Sequence, residues 1–187
     1  MPRSQLIVVA GPNGAGKSTY SRSAFNSGFL LLDPDRYGII SGEAETVFGA
    51  GRAVIRRVRA ALSSGEDFVL ETTLSGRFPL DVLERAKRQS YDTTLIYVGI
   101  DDARECIRRI AVRVRRGGHT VPDSDVLRRL PRSIANLVPA LHYADRALIL
   151  DNGSQSSPYR TVAELADGVL KLSKSVPQWA ITALNEL

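Results

Sequence analysis

Five short apolar runs punctuate the chain: Leu6–Ala10, Phe29–Leu32, Phe68–Leu70, Leu95–Ile100 and Ala147–Leu150. They are apolar throughout instead of alternating, which predicts strands buried on both faces, as in a parallel sheet. The stretches between them predict helices. Arg52–Leu62 carries Val54, Ile55, Val58 and Leu62 at helical spacing. Leu80–Arg88 follows Pro79, a favoured first helical residue. Ala103–Arg115 places Ile107, Ile110, Ala111 and Val114 on one face. Asp125–Leu141 is amphipathic but holds Pro131 and Pro139, so a break is expected there. Thr161–Lys174 reads as a final surface helix. Strands alternating with helices predict an open α/β sheet of five mainly parallel strands flanked by helices.

The 187 residues suit one domain, and the 43% hydrophobic and 24% charged fractions are ordinary for a soluble protein. No apolar run approaches the roughly 18–20 residues that span a bilayer. Cys106 is the one cysteine, so no internal disulfide can form, and a reducing, cytoplasmic location is expected. The net charge of +5 suits a polyanionic ligand, and the arginines concentrate between Arg104 and Arg132.

The strongest local signal follows the first apolar run. Gly11, Pro12, Asn13, Gly14, Ala15, Gly16, Lys17, Ser18 and Thr19 fit the pattern G-x-x-x-x-G-K-[ST], between a strand and a plausible helix Lys17–Ala24. Glycines let successive backbone N–H groups point into one concavity that holds phosphates, and the helix start adds its dipole. Lys17 is expected to reach the β- and γ-phosphates of ATP, and the Ser18 hydroxyl to bind Mg²⁺. A competing pattern is present. Leu74-Ser75-Gly76 looks like part of an ABC ATPase signature, and Leu95–Asp102 could pass for a Walker B strand. The spacing leaves little room for the helical subdomain such ATPases insert.

Phosphoryl transfer to a hydroxyl needs a carboxylate near the acceptor and cations around the transferring group. Asp35 follows the second strand, and Glu71, with Thr72 and Thr73 beside it, ends the third. Asp33 reads as turn chemistry next to Pro34. Arg109, Arg113 and Arg116 fall at i, i+4 and i+7 on one helix face, and Gly117-Gly118 then stops the helix before His119. An arginine-bearing helix ending in a glycine turn suits a lid that closes on ATP and excludes water. Arg128, Arg129 and Arg132 could form its second basic side.

These residues together are similar to the zeta-toxin-like P-loop kinase family, in its short bacterial branch often labelled predicted ABC-type ATPase. The similarity spans roughly residues 5–155 and rests on Gly11–Thr19, Asp33-Pro34-Asp35, Ala50-Gly51-Arg52, Glu71–Gly76, Arg113–Pro122, Arg128-Arg129, Arg132-Ser133, Asn136-Leu137 and Asp151-Asn152. It implies a nucleoside-monophosphate-kinase-like fold with a lid, placed at the arginine-rich helical segment of about 113–132, while the sequence beyond the similarity predicts a helical C-terminal tail at about 159–187. Zeta toxins phosphorylate the sugar of UDP-N-acetylglucosamine. Their catalytic aspartate falls on Asp35, their substrate-contacting glutamate on Glu71, and their lid arginines on Arg113 and Arg116. Thr72 and Thr73, whose hydroxyls lie beside Glu71, and Arg52 are further candidates for substrate binding, as is His119, which could instead contact ATP or fix the turn. The chain is short for a full zeta toxin and its Gly-Gly-His lid string differs, so the activity class carries over better than the substrate or the toxicity.

The leading expectation is a Mg²⁺- and ATP-dependent kinase acting on a hydroxyl of a small molecule, with Lys17, Asp35, Arg113 and Arg116 as catalytic residues. Two further classes stay open. One is a polynucleotide 5′-hydroxyl kinase or nucleic-acid-binding ATPase, motivated by the basic lid but disfavoured. The other is a regulatory ATPase or toxin module with an antitoxin-like protein partner.

Overall fold

A computed structural model describes residues 3–25, 29–33 and 47–185. Asp35 lies outside the described residues, so its expected role as a base has no geometry here. The elements run β1 (Gln5–Ala10), α1 (Lys17–Ala24), β2 (Leu30–Leu32), α2 (Val47–Ser64), β3 (Phe68–Thr72), α3 (Phe78–Arg88), β4 (Asp92–Gly99), α4 (Ala103–Arg115), α5 (Asp123–Ala135), α6 (Leu137–Leu141), β5 (Arg146–Asp151), β6 (Arg160–Ala166), β7 (Val169–Leu172) and α7 (Gln178–Leu184).

The strands form one sheet in the order β2-β3-β1-β4-β5-β6-β7. The first five are parallel. Alternate residues of the central strands feed opposite cores. Leu6, Val8 and Ala10 of β1, with Leu95 and Tyr97 of β4, pack under α2, α3, α6 and α7. Val9, Ile96 and Val98 face the other way, against Cys106 and Ile110 of α4 and Val126 and Leu130 of α5. Both faces are covered, which is why these strands read as unbroken apolar runs. The chain leaves β1 toward β2 on one side and later returns to place β4 on the other. Open α/β sheets bind ligands at the carboxyl ends of strands flanking such a reversal.

The tail differs from expectation. Residues read as a surface helix over Thr161–Lys174 form the antiparallel hairpin β6–β7, which extends the sheet beyond its five parallel strands. The turn is Asp167-Gly168, with φ of 51° and 73°. Asp-Gly is a favoured two-residue hairpin turn because both positions need positive φ. The tail does end in a helix, α7, whose Trp179 ring fills the space a side chain at Gly99 would need and donates from Nε1 to Asp151 Oδ1 at 3.1 Å.

Two helix readings are also sharpened. The expected break in Asp125–Leu141 falls at Asn136, between α5 and α6, and not at either proline. Pro139 has no N–H for the carbonyl of Ala135, where α5 ends. In α4 the buried positions are Cys106 and Ile110, whereas Ala111 and Val114 are exposed. Past Ile110 the helix buries no further residue against the sheet. Among the described residues, no helix is long and apolar enough to cross a membrane.

Candidate nucleotide site

The loop between β1 and α1 owes its course to its glycines. Gly11 has φ of 137°, and a Cβ there would run into the Val98 carbonyl of β4. Gly16 caps α1 at φ 105°, and a Cβ there would meet Asn152 Nδ2 at 2.6 Å and the Tyr159 hydroxyl at 2.9 Å. Among the described residues no side chain caps α1, and a helix start without a side-chain cap is an arrangement that binds anions. Lys17 is buried and donates from Nζ to the Pro12 carbonyl at 3.0 Å, so its charge lies across the loop.

Glu71 sits beside this loop. The β1–β3 register pairs Val9 with Glu71 and so brings the end of β3 against α1. Glu71 is buried, accepting from Ser18 Oγ at 2.5 Å and from Ser21 Oγ at 3.1 Å. A hydroxyl and a carboxylate at the mouth of a phosphate loop are hard oxygen donors, which fit Mg²⁺.

Across the loop stands α4. Arg109, Arg113 and Arg116 all line a cleft of about 790 Å³ together with Asn13, Lys17, Ser18, Arg22, Glu71, Gly117, His119, Asn152 and Tyr159. Arg109 is held at both ends, donating from Nε to Glu105 at 2.7 Å and from Nη2 to the Asn152 carbonyl at 2.9 Å. The Arg108 and Arg109 guanidinium groups hold the Glu105 carboxyl down at about 2. Arg113 Nη2 is 3.1 Å from His119 Nε2 and donates to the His119 carbonyl at 2.9 Å. Its Nε–H is buried and meets no acceptor among the described residues. Among the described residues, Glu71 is the single carboxylate lining the cleft, against Lys17 and four arginines. The cleft is built for a polyanion.

Other expected residues lie elsewhere. Arg52 is exposed on α2 and does not line the cleft, nor do Thr72 and Thr73. Thr72 Oγ1 accepts from Leu74 N at 3.2 Å, and Thr73 Oγ1 lies 2.9 Å from Ser75 Oγ. These hydroxyls hold a turn in which Leu74 takes φ of 54° and Asn136 Nδ2 donates to its carbonyl at 2.9 Å. Leu74-Ser75-Gly76 is thus a strand-to-helix turn. Asp101 and Asp102 are exposed outside the cleft, and Asp102 caps α4 by accepting from Arg104 N at 2.8 Å. Asp33 is buried.

The structure adds Tyr159 and Arg22, which sequence reasoning did not single out, and gives contacts to Asn152 and Arg129, which it named only within the family similarity and the basic side of the lid. Asn152 Nδ2 donates to the Ala15 carbonyl at 2.7 Å, and the Tyr159 hydroxyl donates to the Gly16 carbonyl at 3.0 Å. Arg129 Nη1 comes to 3.5 Å from Asn13 Oδ1, steadied by Asp125 at 2.8 Å. Arg22 reaches the cleft from α1. The signal for Asn152 was its place straight after the last parallel strand, where ligand-binding loops emerge.

Fold and site together define an α/β P-loop domain of the kinase-like kind, with a mostly parallel central sheet flanked by helices. The sequence pattern of the AAA domain family matches residues 6–137, and the chain belongs to that family. An uncharacterised protein of Haemophilus influenzae is 28% identical over 127 residues, which are 66% of this chain and 91% of that protein. The fold is similar to a chain of the AvrRxo1-ORF1:AvrRxo1-ORF2 complex solved with sulphate ions, with a TM-score of 0.72 at 12% identity over 92% of this chain. The same complex solved with ATP gives 0.70 at 12% identity over 91% of this chain. This chain spans only 62% and 61% of those two chains. It is also similar to a chain of the PezAT chromosomal toxin–antitoxin system of Streptococcus pneumoniae, with a TM-score of 0.60 at 19% identity, over 100% of this chain and 79% of that one.

Proposed function

We propose that this protein is a Mg²⁺·ATP-dependent phosphotransferase that delivers the γ-phosphoryl group to a hydroxyl of a small molecule. The observation that carries the reading is the opposition of two cationic surfaces. The uncapped start of α1 with Lys17 faces the Arg109–Arg113–Arg116 face of α4 across one cleft. The ATP in a fold-related complex supports the choice of nucleotide.

In this reading the loop amides and Lys17 bind the β- and γ-phosphates. Ser18 and Glu71 would hold Mg²⁺, which supplies charge neutralisation between phosphate oxygens when bound. Arg113 and Arg116 neutralise charge on the transferring group, and closure of α4 over the cleft keeps water from competing as the acceptor. Asp35 takes the proton of the acceptor hydroxyl, and His119 and Arg52 belong to the acceptor side. A nucleotide sugar such as UDP-N-acetylglucosamine is the acceptor class suggested by the family resemblance. The complexes formed by AvrRxo1-ORF1 and the PezAT toxin–antitoxin pair support a protein partner for this chain as well.

The acceptor is tested by offering γ-labelled ATP with UDP-N-acetylglucosamine or with a 5′-hydroxyl oligonucleotide at low and high salt. Labelled nucleotide sugar is expected. Label appearing only on the oligonucleotide would move the activity to polynucleotide kinases.

A further inference from the structure

The loop that follows β5 grips the phosphate loop from behind. Asn152 is buried, and all its polar groups are engaged. Its N–H donates to the Gly99 carbonyl at 2.9 Å. Its Nδ2 donates to the Ala15 carbonyl at 2.7 Å, its Oδ1 accepts from Tyr159 N at 3.3 Å, and its carbonyl accepts from Arg109 Nη2 at 2.9 Å. Tyr159 completes the grip. Its hydroxyl donates to the Gly16 carbonyl at 3.0 Å while its ring packs on Tyr20 with centroids 5.5 Å apart. Its backbone takes φ of 53°, a left-handed conformation that is unfavourable for an aromatic residue. Such strain persists only where the surroundings enforce it, and it gathers at functional sites. Neither contact is needed to build the sheet.

Building on the phosphotransferase reading, we propose that Asn152 and Tyr159 are positioning residues that hold the phosphate loop in its anion-binding form and link it to the arginine helix α4. The loop binds phosphate with N–H groups, so its carbonyls must face away. Ala15 and Gly16 are the last two residues before α1; Asn152 Nδ2 fixes the Ala15 carbonyl outward, and the Tyr159 hydroxyl joins the Thr19 and Tyr20 N–H groups that hold the Gly16 carbonyl in the first turn of α1. The same Asn152 is tied through its carbonyl to Arg109, on the helix face that also carries Arg113 and Arg116. A movement of α4 toward the ligand therefore pulls on the residue that shapes the loop. Gly16 is part of the device, because any side chain there would occupy the space of Asn152 Nδ2 and the Tyr159 hydroxyl.

The test uses calorimetric titration of the full chain with Mg²⁺·ATP and, separately, with inorganic tripolyphosphate, which has no base. Tyr159→Phe keeps the ring and removes the hydroxyl that bonds the Gly16 carbonyl, so both ligands should weaken by roughly five-fold. Asn152→Asp replaces a donor with a carboxylate facing the Ala15 carbonyl, and a loss of about a hundred-fold is expected for both. Adding Arg109→Lys to Asn152→Asp should cost less than the sum of the two changes. The nucleotide-free melting temperature of Tyr159→Phe should match the wild type, which separates positioning from general stability. Loss confined to ATP, with tripolyphosphate unaffected, would mean that these residues meet the base, and it overturns the proposal. Unchanged affinity for both ligands in Tyr159→Phe overturns it too. A wild-type chain that binds neither ligand overturns the phosphotransferase reading along with it.

Discussion

Ser18 donates its hydroxyl hydrogen to Glu71 at 2.5 Å, joining the first turn of α1 to the end of β3. The contact puts the carboxylate beside the phosphate loop rather than out toward an acceptor. Replacing Glu71 with Gln keeps the shape and removes the charge. Mg²⁺-dependent turnover should fall by roughly 10–100-fold, as for a lost partner of a metal ligand, and the Mg²⁺ titration should shift to higher concentration. An unchanged titration would limit Glu71 to ordering Ser18 and Ser21.

Arg113 is folded back on its own loop, bound to His119 and carrying a buried N–H that meets no acceptor among the described residues. Such a group is costly in place, by about 1–3 kcal/mol. A phosphate oxygen would supply the missing acceptor. Arg113→Ala should therefore lower turnover by on the order of a hundred-fold with little loss of nucleotide-free stability. A large drop in melting temperature with turnover preserved would assign Arg113 a structural role.

Cys106 lies under the phosphate loop, wholly buried, and burial pushes its thiol up to about 11. The thiolate is the reactive form. Below that value the protonated thiol dominates, so iodoacetamide at pH 8 should leave Cys106 unmodified in the folded chain and modify it in denaturant. Mass spectrometry reads both. Rapid modification of the native protein would contradict the packing of Cys106 beneath Gly14.

The hairpin turn offers a test by sign. Gly168 has φ of 73°, so Gly168→Ala should destabilise the protein by about 1–2 kcal/mol. In a helix the same change would stabilise by about 1 kcal/mol. Thermal melting distinguishes the two directions.

That turn also shows where sequence reading stopped. The apolar runs of β1, β3, β4 and β5 were legible because strands covered on both faces have no polar side to disguise them. The phosphate loop was legible because its glycine positions are dictated by close approach to Val98 and by the bond network around Gly16. β6 was not, because it mixes Thr161, Val162, Ala163 and Glu164 in a short span that fits a helix face as well as a strand. The Asp167-Gly168 pair was the available signal. The exit of α4 from the sheet escaped detection for a related reason. Ala111 and Val114 continue the helical spacing of Ile107 and Ile110, and only the missing neighbour across from them leaves them exposed. Contacts such as Asn152 to Ala15 join residues far apart in sequence, and no local pattern encodes them.

The central claim is phosphoryl transfer from ATP to a small molecule, and γ-labelled ATP incubated with a metabolite extract tests it most directly. The wild-type chain should convert one metabolite to a labelled phosphate ester in the presence of Mg²⁺. Lys17→Ala should abolish the product, and Asp35→Asn should abolish it while still binding ATP. Labelled inorganic phosphate as the sole product, formed equally by wild type and Asp35→Asn, would contradict the account and leave the protein an ATPase.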